Sequence, residues 1–361
     1  MIFDDINLAN TMEETDKKCP SCGGDMNFDP GTGGMKCPYC EYTESINAGR
    51  SADELDFMSE GEKGSRDWGM ATKTVICKSC GAETVYDELQ IASECPYCGS
   101  NQVMEAKGVE TLAPGGVCPF KVDIKTAGAR FKKWISRKLF CPSEAKKKAR
   151  PEAFKGVYLP YWTFDADTKT DYSAKYGIDH VITDSKGKHR VVTNWYRTSG
   201  THTEFIDDQV ILASIRHSES LLYGIEPFAT KENVGYSPKY ISGFTAERYS
   251  LGLKSAWEKA KRFISGRLES NIKSGIMSRH GASRVSDLTA NTVYRNITYK
   301  YLLLPVWISS FKYKDKVYQF AINGQTGRIS GKTPVSPLRV AVAVAALAAI
   351  LFLVYFSMQY M

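Results

Sequence analysis

Two repeated cysteine patterns constrain this chain more than any other feature. Each consists of two C-x-x-C motifs separated by 14 residues. Because a C-x-x-C turn directs two sulfurs to one point, two such turns complete a tetrahedral four-thiolate site. The spacing predicts two zinc ribbons, residues 17–44 and 73–104, each with one structural Zn²⁺ and no open coordination position. The predicted ligands are Cys19, Cys22, Cys37, Cys40, Cys77, Cys80, Cys95 and Cys98.

Other cysteine chemistry fits this pattern less well. A cytoplasmic location disfavours disulfides, and a redox C-x-x-C motif normally stands alone on a βα unit. The sequence does not distinguish iron from zinc in these sites, because thiolates bind both metals. Cys118 and Cys141, each followed by proline, are expected to be small buried apolar residues.

A second constraint is the run from Val340 to Phe356, 17 residues without a charged or strongly polar side chain. With its flanks, residues 338–358, it is long enough to cross a bilayer. A buried core helix can have the same length and apolar composition and is the alternative. Arg328, Lys332 and Arg339 precede it, so the positive-inside rule places residues 1–338 in the cytoplasm. The first residues lack a signal-peptide pattern. We therefore expect a single-pass, C-terminal anchor in the cell membrane.

Charge divides the chain into an acidic front and a basic rear. Residues 1–110 carry 9 Lys or Arg and 21 Asp or Glu, whereas the whole chain has a net charge of +7. Both ribbons are acidic, which disfavours phosphate binding, so we expect them to contact proteins. Residues 1–16 are predicted to be an acidic tail and 45–72 a flexible linker. Within this linker, Leu55, Phe57 and Met58 form either a docking motif or a short helix against the second ribbon.

Residues 105–335 are expected to form a basic, mostly antiparallel α+β domain. Helical spacing predicts helices over 127–140 and 245–274, each with a basic face. Strand composition predicts 157–164, 168–183, 188–198, 201–214, 298–313, 317–322 and 328–330, with a turn over 184–187. Leu-Pro-x-Trp occurs twice, at 159–162 and 304–307, which suggests an internal duplication. The predicted fold is thus multidomain: two ribbons, this domain and one transmembrane helix.

Basic residues are concentrated in residues 121–150, which hold 11 Lys or Arg and two acidic residues. Such a cluster is attracted to an anionic membrane surface or to an acidic protein, and less readily to nucleic acid. The alternative is a basic face that contacts only solvent. The candidate anionic-lipid or partner contacts are Lys132, Lys133, Arg137, Lys138, Lys146, Lys147, Lys148 and Arg150.

Catalytic motifs do not emerge from the sequence. Gly331-Lys332-Thr333 resembles the end of a phosphate loop, but Thr326 stands where that loop needs glycine. The five histidines show neither metal spacing nor a motif linking them to a nucleophile. The sequence therefore favours a protein that is not an enzyme and has no small-molecule substrate.

Four motifs together resemble a bacterial family of zinc-ribbon membrane proteins, often labelled TFIIB-type zinc-ribbon or primosomal N-prime/helicase-like proteins. They are Gly156–Ala166, Gly243–Tyr249, Leu303–Trp307 and Asn323–Gly327. Relatives with a membrane segment are encoded beside phage-shock-protein-A-like and virion-core-like (SPFH-type) proteins. The resemblance implies an adaptor that recruits such partners to the membrane and supplies no catalytic residues. The alternative is a primosomal-like, nucleic-acid-binding replication accessory.

Overall fold

The computed structural model describes residues 18–58 without 25 and 48, 72–77, 81–87, 97, 103–105, 114–149, 154–183, 187–215 and 217–359. The predicted acidic tail and residues 184–186 of the predicted turn at 184–187 lie outside these residues. So do Arg150 and the second-ribbon ligands Cys80, Cys95 and Cys98, while Cys77 is described in its backbone alone.

Short strands and helices alternate with three very long strands. The strands are β1 (Asn27–Asp29), β2 (Gly34–Lys36), β3 (Thr43–Glu44), β4 (Leu55–Asp56), β5 (Thr72–Cys77), β6 (Glu83–Asp87), β7 (Val103–Glu105), β8 (Gly116–Val117), β9 (Lys155–Thr183), β10 (His189–Leu212), β11 (Val234–Gly235), β12 (Thr245–Ala246), β13 (Arg284–Tyr313), β14 (Lys316–Asn323) and β15 (Ile329–Gly331). The helices are α1 (Ile124–Ser136), α2 (Ser143–Lys148), α3 (Glu219–Tyr223), α4 (Pro238–Ile241), α5 (Leu253–His280) and α6 (Pro337–Gln359), with a 3₁₀ turn at Thr230–Glu232.

The central domain is a mostly antiparallel sheet, as the sequence predicts. β13 pairs with β9 along most of its length, β10 extends the sheet beyond β9, and β14 and β15 extend it beyond β13. Among the described residues, parallel pairing is confined to the short contacts of β12 with β9 and of β8 with β13. β1, β2 and β3 form a separate small antiparallel sheet in the first ribbon.

The predicted breaks at 165–167 and 199–200 are wrong, because β9 and β10 run continuously through them. β9, β10 and β13 run for 29, 24 and 30 residues. Their register shifts in three places, and each shift contains one residue with positive φ: Asp208 (50°), Asp287 (52°) and Asn296 (48°). Asp and Asn tolerate this left-handed conformation and are also typical turn residues. A β-bulge accommodates a residue in this conformation, and the strand continues beyond it.

α5 packs across the long strands through one apolar stripe. Its buried residues recur every three or four positions, from Leu253 to Ile276, as expected for an amphipathic helix. The predicted start at Thr245 is wrong, since Thr245 and Ala246 pair with β9 as strand β12. The helix ends at Gly281, whose φ of 59° fits the left-handed position of a helix C-terminus.

Part of the segment predicted as a linker packs on the central sheet. β4 pairs with β13, and the Phe57 ring lies 5.6 Å from that of Trp257. Further upstream, the Ala52 N–H donates to Asn233 Oδ1 at 2.7 Å. Residues 50–57 therefore belong to the sheet domain, and Phe57 docks within the chain.

α6 is the one described helix long and apolar enough to cross a membrane, and none of its residues is buried. A core helix of this composition would be covered by other elements. The arrangement is compatible with a membrane anchor at the C-terminal end of the chain.

Candidate metal centre

Two matching turns present the cysteines of the first ribbon. In the first, the Cys19 N–H donates to Gly24 O and the Gly23 N–H to Cys19 O. In the second, Cys37 pairs in the same way with Tyr42 and Glu41. The residue after the second cysteine is left-handed in both turns, with φ of 70° at Gly23 and 61° at Glu41.

The four sulfurs of this ribbon converge on one point. All four lie within 4.8 Å of one another; the Cys19–Cys40 and Cys22–Cys37 Sγ distances are 3.4 and 3.5 Å. A tetrahedral zinc with Zn–S bonds of about 2.3 Å separates its sulfurs by about 3.8 Å. Small adjustments thus suffice to fit one zinc ion, which four thiolates would hold as a structural rather than a catalytic metal.

The thiols influence one another's protonation strongly. The backbone N–H of Cys40 lowers the pKa of Cys37 to about 7. At Cys22 the Gly24 N–H lowers the pKa, but hydrogen bonds with the Cys37 and Cys40 thiols outweigh it and raise the value to about 12. Four thiolates this close repel one another, so a bound cation would stabilise the fully deprotonated site.

The ribbon is seated on the sheet domain through its inner face. The buried Phe28 ring lies 5.6 Å from the Tyr240 ring, and the Phe28 N–H donates to Ser242 O at 3.0 Å. The Ser242 hydroxyl donates to Met26 O at 2.9 Å. Burying a phenylalanine contributes about 2 kcal/mol, so this contact holds the metal centre at a fixed place on the sheet.

The outer face of the ribbon exposes an aromatic side chain beside the metal ligands. Tyr39 is 78% exposed and its ring lies over Gly24, where a Cβ atom would come within 2.6 Å of it. Tyr97, its sequence counterpart in the predicted second ribbon, is buried and its ring lies 4.6 Å from that of His217.

The predicted basic contact residues lie on two neighbouring helices whose connection contacts the start of α6. All of them that the structure describes are exposed or half-buried, on α1, on α2 or in the connection between them. The Arg339 guanidinium of α6 donates to Leu139 O, Cys141 O and Ser143 Oγ at 2.7–3.1 Å. The connection between α1 and α2, which carries Arg137 and Lys138, is therefore fixed next to the candidate membrane helix.

Two polar clusters, one buried and one partly buried, carry no local sequence signal. Glu247 is fully buried, accepts from the Ser214 hydroxyl at 2.6 Å and is joined to His217 Nε2 at 2.5 Å. These contacts join residues about 30 positions apart, which no short motif can reveal.

The second cluster brings together the carboxylates of Glu54, Asp165 and Asp208 within 4.8 Å of one another. The Lys300 ammonium lies 2.9 Å from Asp208 Oδ1 and also contacts Glu54. Burial and the neighbouring carboxylates raise the pKa of Asp165 to about 6. We interpret this cluster as an ion-pair network, because the Lys300 ammonium pairs with two of its three carboxylates.

Comparison with known proteins finds similarity to an uncharacterized protein and to no family of known function. No protein-family model and no solved structure matches the chain. The chain is 29% identical over 324 residues to the uncharacterized protein YdjG of Bacillus subtilis (strain 168), covering 90% of this chain and 91% of the relative. The similarity thus extends well beyond the cysteine motifs.

Proposed function

We propose that this protein is a non-enzymatic membrane adaptor. α6 anchors it in the cell membrane, with the remainder in the cytoplasm, and the first ribbon binds a cytoplasmic protein through the surface around Tyr39. Phage-shock-protein-A-like or SPFH-type membrane-stress proteins are the partner class that the family resemblance implies. A structural zinc holds the binding surface in shape without taking part in chemistry.

One observation carries the proposal: the metal centre and the apolar helix are both fixed to the same sheet domain. Phe28 and Ser242 hold the ribbon on the domain, and Arg339 holds the start of α6 on it. A protein bound at the ribbon is therefore kept close to the membrane.

Orientation and partner chemistry follow from charge. Arg328, Lys332 and Arg339 precede the apolar stretch, which favours a cytoplasmic location for the ribbon. The first ribbon is slightly acidic and a four-thiolate zinc adds about two negative charges. This surface suits a protein partner better than a phosphate backbone.

The proposal includes a second structural zinc ion at Cys77, Cys80, Cys95 and Cys98. Its support is the identical spacing of the two ribbons and the left-handed Gly81, whose φ of 71° matches the 70° of Gly23. Zinc would supply stability that so small a unit cannot gain from apolar burial alone.

Affinity capture from native membranes tests the adaptor role. Full-length wild type is compared with Tyr39→Ala and with Phe205→Ala, which removes a 55% exposed aromatic ring from β10. We expect Tyr39→Ala to lose most of the bound protein and to retain its zinc, whereas Phe205→Ala retains both. Equal protein recovery in all three samples, or recovery of nucleic acid instead of protein, contradicts the proposal.

A further inference from the structure

The connection between α1 and α2 exposes two large apolar side chains. Leu139 is 76% exposed and Phe140 is 42% exposed. They follow the basic pair Arg137 and Lys138, which are also exposed. An exposed apolar pair flanked by basic side chains is the composition of protein segments that enter the surface of an anionic membrane.

Hydrogen bonds place this loop beside the point where α6 begins. The Ser336 N–H, one residue before α6, donates to Phe140 O at 2.9 Å. Arg339, in the first turn, donates to Leu139 O at 3.1 Å and to Cys141 O at 2.7 Å. These bonds link α6 to backbone atoms on both sides of Phe140, so the loop cannot lie far from the depth at which the helix enters a bilayer.

The surroundings of the loop match the interface between lipid headgroups and water. The Lys138 ammonium lies 4.5 Å from the centre of the Trp134 ring, and Lys148 reaches the Tyr313 ring at 6.0 Å. Aromatic and basic side chains together are typical of this interface, where the rings sit among the headgroups and the cations meet anionic lipids.

We propose that Leu139 and Phe140 form a second membrane contact, inserted at the boundary between headgroups and acyl chains of an anionic leaflet. The inference rests on the proposed membrane anchorage by α6 and deepens it. One helix alone leaves the cytoplasmic domain free to rotate and tilt. A second contact beside it fixes the domain's orientation, and with it the direction in which the ribbon faces.

Quenching by brominated lipids tests the contact in the full-length protein. Phe140→Trp is reconstituted into vesicles of phosphatidylcholine and phosphatidylglycerol with or without bromine on the acyl chains, and the wild-type signal is subtracted. Phe205→Trp is the matched control, because Phe205 is similarly exposed but lies on β10. Leu139→Trp provides a second probe within the same loop.

We expect bromine to remove about half of the fluorescence added at positions 139 and 140, because an inserted indole lies close to the acyl chains. The tryptophan at 205 keeps its fluorescence. Quenching at 139 and 140 should weaken in vesicles of phosphatidylcholine alone. Equal quenching in both lipid mixtures would overturn the role of anionic lipid.

Two further outcomes separate this inference from the anchorage itself. If the protein resists carbonate extraction from the vesicles but 139 and 140 are quenched no more than 205, the second contact is wrong and the anchor stands. If carbonate extracts the protein, both are wrong. Neither result depends on whether the ribbon captures a partner.

Discussion

Leu159 and Leu304 lie directly opposite each other in the antiparallel pair of β9 and β13. Each begins a Leu-Pro-x-Trp sequence, so a local two-fold axis passes between them. The two tryptophans occupy equivalent positions: Trp162 donates to Leu251 O and Trp307 to Val122 O, both at 2.8 Å. Each acceptor is the residue before the N-cap of a helix, α5 and α1 respectively. Two helix–strand–strand units thus share one bonding pattern, as a duplication requires.

The equivalent tryptophans should contribute similarly to stability. Trp162→Phe and Trp307→Phe each leave a carbonyl without its indole donor, which costs about 1–3 kcal/mol of the free energy of unfolding. Trp195→Phe, at a half-exposed position of β10, should change it by less than about 0.5 kcal/mol. Urea unfolding of the full-length protein in detergent measures all three. A large effect at only one of positions 162 and 307 would contradict their equivalence.

Metal content distinguishes ligand cysteines from buried structural ones. Cys37→Ser should remove one zinc ion per chain and release the ribbon from the sheet, because three thiolates bind zinc less tightly than four. Cys118→Ser should retain all the metal, since Cys118 is buried at β8, with Ala229 O as its thiol acceptor. Elemental analysis of the purified proteins provides the measurement. Unchanged zinc in Cys37→Ser would refute the four-thiolate site.

Substitutions at the left-handed positions of the two ribbon turns should have opposite effects on the stability of the ribbon. Glu41→Gly should stabilise the ribbon by up to about 1 kcal/mol, because glycine adopts the left-handed conformation without steric cost. Gly23→Ala should destabilise it by a similar amount for the same reason. The rate of zinc loss to a chelator reports both effects, slower for Glu41→Gly and faster for Gly23→Ala. A change in the same direction for both variants would contradict this explanation.

Asp165 makes stability depend on pH. Burial raises its pKa to about 6 in the folded protein, above the value of about 3.9 expected when unfolded. A raised carboxyl pKa means that folding disfavours the charged form, so its contribution to stability is lost as the pH rises through about 6. Solvent screening at this half-buried site reduces the loss to about 1 kcal/mol.

Asp165→Asn should remove that pH-dependent loss. Its amide oxygen can still accept the hydrogen bond that the Asp208 N–H makes with Asp165. Relative to wild type, the variant should therefore gain unfolding free energy between pH 5 and pH 7, with zinc kept saturating. A constant difference across that range would show that Asp165 does not change protonation there.

Local chemistry could be read from the sequence, whereas long-range contacts could not. Each C-x-x-C turn is formed by six consecutive residues, so spacing predicted the four-thiolate site at Cys19 and Cys40. The bulges at Asp208 and Asn296 were not predicted, since Asp and Asn signal turns until the partner strand is known. Lys300 and Glu54 meet across 246 positions, a contact that only the fold creates.

The most direct measurement of the central claim is photo-crosslinking from position 39 in native membranes. A photoreactive phenylalanine analogue replaces Tyr39 in the full-length protein, and the same analogue at Phe205 is the control. The adaptor account predicts a discrete crosslinked protein from position 39, in the membrane fraction, that position 205 does not give. Crosslinks to nucleic acid, or no product specific to position 39, would contradict it.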